Sequence, residues 1–115
     1  MRLNHLNLRV ASVERSRAFY VEHFGLAEQA WHGEALFLTD GGGMDFALMA
    51  DAPPTPSDTF HFGFRLDGRV AVAATHARLA AAGVAIVEPL TDEGDLVYFR
   101  CADPDGYIIE VYWEA

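Results

Sequence analysis

The sequence predicts an α+β fold made of two βαβββ modules. Three observations carry this reading. Runs that alternate polar and apolar residues flank two stretches with helical spacing. The order strand, helix, three strands occurs in residues 1–51 and again in 59–115. Landmarks also recur at a nearly constant offset. His5 and His61 both fall early in the first strand of a half, 61 − 5 = 56 residues apart. Gly25-Leu26-Ala27 and Gly83-Val84-Ala85 both follow a helix, 83 − 25 = 58 residues apart.

The first strand, 3–10, places Leu6, Leu8 and Val10 on one side and His5, Asn7 and Arg9 on the other. Ser12 is suited to cap the helix that follows, with Glu14 in its first turn and Gly25 as its stop. Three short β-like runs come next, at 26–32, 35–39 and 44–49, separated by Gly33 and by Gly41-Gly42-Gly43. The segment 52–58, with three prolines, reads as a linker. In the second half, 60–66 alternates, with Phe60, Phe62, Phe64 and Leu66 opposite His61, Gly63 and Arg65. An alanine-rich helix over 70–82 stops at Gly83, and strands follow near 84–89, 95–101 and 107–113. Asp103-Pro104-Asp105-Gly106 is the turn between the last two, since Pro presets φ and Gly accepts a positive one.

With 115 residues and 51% apolar content, the chain can bury a core. Seventeen acids against eight bases give a net charge of −9, which argues against nucleic acid and anionic membranes as partners. No apolar run approaches the ~20 residues of a membrane span. The first ten residues do not resemble a signal peptide, and Cys101 is the lone cysteine. These features predict a cytoplasmic protein.

One βαβββ module leaves one face of its sheet free of the helix. Two modules can pair into a curved, half-open barrel whose free faces line a cavity. On those faces alternation places His5, Asn7 and Arg9; His61, Gly63 and Arg65; Leu96, Tyr98 and Arg100; and Ile108, Glu110 and Tyr112. Glu110 lies mid-strand between apolar neighbours, where a carboxylate must be solvated, paired or bound to a cation. His5, His61 and Glu110 together suit a divalent ion, Fe, Mn, Ni, Co or Zn, with coordination positions left open. Asn7, Arg9, Arg65, Arg100 and Tyr112, with Tyr98, are candidates for orienting a substrate. His23, His32 and His76 receive no role. Trp31 and Phe37 are expected to pack, and Cys101 to be structural.

The chain resembles the vicinal oxygen chelate superfamily, which includes glyoxalase I, extradiol dioxygenases, fosfomycin-resistance enzymes and bleomycin-resistance proteins. The likeness rests on the module duplication, on Leu3-Asn4-His5-Leu6-Asn7-Leu8-Arg9-Val10, on Arg17-Ala18-Phe19-Tyr20 with Phe24-Gly25-Leu26, and on Asp103-Pro104-Asp105-Gly106-Tyr107-Ile108-Ile109-Glu110. It implies glyoxalase-like half-barrel sheets in a homodimer, with His5 of one chain meeting His61 and Glu110 of the other. It also implies a metal-dependent enzyme acting on a small molecule with adjacent oxygens, with Glu110 and Tyr98 catalytic. The alternative is a metal-free binding protein of the bleomycin-resistance type for a cationic or aromatic small molecule.

The departures are specific. Ala47 stands where glyoxalase I and methylmalonyl-CoA epimerase place a fourth ligand, with Asp45 two residues earlier on the same face. Glu88 stands where fosfomycin-resistance enzymes hold the phosphonate with a lysine. An acid there has the wrong sign, so that activity ranks low. Extradiol dioxygenases match the ligand set and the Tyr98 region, but their acid-base histidine has no counterpart here.

Overall fold

The computed structural model describes residues 1–57 and 59–115; Asp58, in the expected linker, lies outside the described residues. Two compact units are present, Met1–Thr55 and Pro56–Ala115. Each is a four-stranded mixed sheet with one helix, the α+β pattern the alternation predicts.

In the first unit β1 (His5–Val10) is followed by α1 (Val13–Phe24), β2 (Ala27–His32), β3 (Ala35–Thr39) and β4 (Asp45–Ala50). The strand order is β1-β4-β3-β2, with β1 parallel to β4 and the other pairs antiparallel. The last strand of the module thus returns beside the first. Ser12 caps α1 by accepting the Arg15 N–H at 3.2 Å, and Gly25 closes it in the left-handed conformation. Leu8, Val10, Leu36, Leu38, Phe46 and Leu48 from the sheet are buried, as is Tyr20 of α1, whose ring centroid lies 4.7 Å from that of Phe46.

The second unit repeats the plan: β5 (His61–Arg65), α2 (Arg69–Ala81), β6 (Ile86–Asp92), β7 (Leu96–Ala102) and β8 (Ile108–Glu114), in the order β5-β8-β7-β6. Strand β5 runs parallel to β8. Val72 and Leu79 of α2 are fully buried, as are Phe99, Cys101 and Ile109 of the sheet. Each such side chain contributes about 1.5–3 kcal/mol relative to exposure. His76 of α2 meets the Phe99 ring edge-on at 5.0 Å, so the odd-numbered β7 residues face the helix. Tyr98 and Arg100 therefore face the other way.

The β7–β8 turn is built as its composition predicts. The buried Asp103 accepts the backbone N–H groups of Asp105 and Tyr107 through Oδ1, both at 2.9 Å, and Gly106 takes φ 90°. Among the described residues no helix is long and apolar enough to cross a membrane.

Candidate functional site

The helix-free face of the second sheet carries a connected polar group. His61 opens β5 opposite Ile108, and Glu110 lies mid-strand on β8, two residues further along the parallel pair. His61 Nε2 stands 4.0 Å from Glu110 Oε1, with both side chains only partly exposed, 33% and 19%. Gly63, the Cα partner of Glu110, leaves this surface low. A Cβ there would meet the Glu110 carbonyl oxygen and Tyr112 Cε1, each at 3.1 Å. The Tyr112 ring thus lies over the space that a side chain at 63 would take.

Arg100 joins two carboxylates. It is the Cα partner of Glu110 on β8 and of Glu88 on β6. Its Nε and Nη2 donate to Glu110 Oε1 at 3.1 and 3.0 Å, and its Nη1 lies 3.0 Å from Glu88 Oε2. The Tyr98 hydroxyl donates to Glu88 Oε1 at 3.1 Å, and the guanidinium carbon sits 5.7 Å from the Tyr98 ring centroid. The hydrogen bond to Glu88 raises the Tyr98 pKa, helped by partial desolvation and the Glu88 charge. Two carboxylates and one guanidinium leave a net charge of −1 on this face, which favours a cation.

Five of the residues singled out in the sequence, His61, Tyr98, Arg100, Glu110 and Tyr112, thus share one face of one sheet. Arg65 does not join the cluster: its guanidinium bonds the Glu114 carboxylate at 3.0 Å and the Glu114 carbonyl at 2.8 Å. Glu88 is the member that sequence reasoning missed as a partner. Its acidic charge, read from sequence as facing a substrate, is held by Arg100 and Tyr98 instead.

His5, Asn7 and Arg9 are exposed along β1 of the first unit. The His5 ring stacks on Phe37, centroids 5.9 Å apart at 16°, and His32 meets the same ring edge-on at 4.9 Å. Ala47 is the Cα partner of Asn7, as Glu110 is of Gly63, so Ala47 holds the register position that carries a carboxylate in the second sheet. Asp45 is the Cα partner of His5. Trp31, on the outer strand β2, is 57% exposed. Cys101 is buried, and desolvation with the nearby Asp103 charge pushes its thiol up to about 12.

Two donors on one divalent ion, each at roughly 2.1 Å, stand about 3–3.5 Å apart. The 4.0 Å between His61 and Glu110 is a small rotamer adjustment from that spacing, so this pair fits two ligands of a metal site. Among the described residues of the single chain, no three His, Cys, Asp or Glu side chains gather into a metal-binding group.

Residues 2–111 match the sequence profile of the Glyoxalase/Bleomycin resistance protein/Dioxygenase superfamily. The glutathione transferase FosA of Serratia marcescens is 33% identical over 115 residues, covering 96% of this chain and 79% of that protein. A possible glyoxalase from Bacillus cereus superposes with a TM-score of 0.84 at 31% identity, covering 96% of this chain and 97% of that one. The fosfomycin resistance protein FosX of Listeria monocytogenes superposes with a TM-score of 0.86 at 20% identity, covering 100% and 94%, a likeness of fold.

Proposed function

Because the chain belongs to the Glyoxalase/Bleomycin resistance protein/Dioxygenase superfamily, we propose that it is a metal-dependent enzyme of that superfamily acting on a small molecule with adjacent oxygens. The two modules and their linker form its single glyoxalase-like domain. The observation that carries the reading is the approach of His61 to Glu110 on one sheet face, beside Arg100 and Tyr98. His61 and Glu110 would hold the ion, with His5 as third ligand. A divalent ion there supplies Lewis acidity to substrate oxygens.

The chain's own residues supply the rest. Tyr98 keeps its phenolic proton on the Glu88 hydrogen bond, as a donor beside the site. Arg100 offers a fork of N–H groups, and Asn7, Arg9 and Tyr112 orient the substrate, while Arg65 stays with Glu114. A homodimer supplies His5 from the partner chain.

The similarity to the glutathione transferase FosA supports glutathione transfer as a second reading. The first test is turnover by metal-loaded protein: catechols with O₂ under Fe(II), hemithioacetals under Ni(II) or Zn(II), and fosfomycin with glutathione under Mn(II). Turnover of one set that stops on chelation supports the enzyme. Affinity for a cationic or aromatic ligand that survives chelation supports the metal-free binding protein instead.

The shared site has its own test. His5→Ala and His61→Ala proteins are each inactive, but mixed dimers regain one intact site. Random mixing restores about a quarter of the sites, and no restoration contradicts sharing between chains.

A further inference from the structure

Arg100 is anchored at both ends in a way that support of one carboxylate does not require. Both of its bonds to Glu110 fall on Oε1, the oxygen that lies 4.0 Å from His61 Nε2. Oε2 accepts no hydrogen bond among the described residues. His61 reaches Glu110 from β5 and Arg100 from β7, on opposite sides of β8, yet both are directed at the same Oε1, the oxygen an ion shared with His61 would use. Two cations on one carboxylate oxygen repel each other, and the repulsion is strong where solvent is partly excluded.

A second resting place already exists. Glu88 holds Nη1 at 3.0 Å, and the Tyr98 hydroxyl pins the other oxygen of Glu88 at 3.1 Å. The guanidinium also lies beside the Tyr98 ring. Arg100 can therefore give up Glu110 without losing its charge partner.

Resting on the metal reading above, we propose that Arg100 is a built-in counter-cation of Glu110, which an arriving metal ion displaces and Glu88 retains. In the ion-free protein it neutralises the carboxylate and keeps the face compact. On loading it yields Oε1 and turns its Nε–H and Nη2–H edge free. Arg100 is then a positioning residue whose presence lowers metal affinity.

The experiment is titration of chelator-stripped full-length protein with Mn(II), following free Mn(II) by electron paramagnetic resonance. Arg100→Gln binds Mn(II) about tenfold tighter than the unaltered protein, the size expected from removing a competing charge-assisted hydrogen bond. Arg100→Lys, which keeps the charge without the fork, falls between them. Glu88→Gln binds several-fold more weakly, because the guanidinium is left with only Glu110 to sit on. If Arg100 instead held Glu110 in its ligating pose, Arg100→Gln and Arg100→Lys would both bind more weakly. That order, or equal affinity throughout, overturns the inference while leaving the metal site in place. No binding by the unaltered protein or any variant overturns both this inference and the metal reading.

Discussion

Tyr98 and Glu88 are joined side chain to side chain across β7 and β6, the phenol donating to the carboxylate at 3.1 Å. The bond favours the protonated phenol, so the Tyr98 pKa lies above its ordinary value of 10.0. A raised folded-state value means that the bond's stabilisation is fully present below about pH 10. It is lost as pH rises through the raised value. Site-resolved NMR titration of ring-labelled tyrosine should place the Tyr98 midpoint above 10, and Glu88→Gln should bring it back down. An unchanged midpoint in Glu88→Gln would mean that the bond does not govern this proton.

Cys101 should be silent in the native protein. It is fully buried, and its thiol is pushed up to about 12. Iodoacetamide at pH 8 should leave it unmodified for as long as the protein stays folded and alkylate it fully in guanidinium. Rapid native labelling, read by mass spectrometry, would contradict its burial against α2.

Gly63→Ala probes the low surface beside Glu110. The added methyl meets a backbone oxygen, which cannot move aside, and the Tyr112 ring, which can. Overpacking of this kind costs about 1–3 kcal/mol. Urea denaturation should find that loss, and Tyr112→Ala in the same chain should recover part of it. Additive losses would mean that the ring is not the neighbour that yields.

The Asp103 carboxylate holds the turn that sets the register of β7 against β8, and hence Arg100 opposite Glu110. Asp103→Ala leaves two backbone donors without their acceptor and should lower stability by about 2 kcal/mol. Asp103→Asn keeps an acceptor oxygen and should lose less. Equal losses would assign the effect to charge instead of to the acceptor.

Much of this arrangement could be read from the chain alone. Period-two alternation put Val97 and Phe99 on the helix side and Tyr98 and Arg100 opposite, and burial agrees. Ser12, Gly25 and Asp103-Pro104-Asp105-Gly106 announced their caps and turn. Alternation gives faces but not neighbours, so it could not indicate that Glu88 would meet Arg100. That pairing depends on a strand whose register shifts on either side of Glu88, between Ile86 and Glu88 and between Glu88 and Thr91. Arg65 was placed on the correct face yet is held by Glu114 at the end of the sheet, a partner three strands later in the chain. The exposure of Trp31 was equally hidden, because the position of β2 at the outside of its sheet follows from strand order.

The account stands on His61 and Glu110 acting together on one ion. Metal content per chain of the purified protein, with His61→Ala and Glu110→Ala alongside, tests this most directly. The account predicts a stoichiometric divalent ion in the unaltered protein and its loss, with the fold retained by circular dichroism, in both variants. Metal retained at full stoichiometry in either variant, or an unaltered protein that takes up none when offered Fe(II), Mn(II), Ni(II), Co(II) and Zn(II), would contradict it.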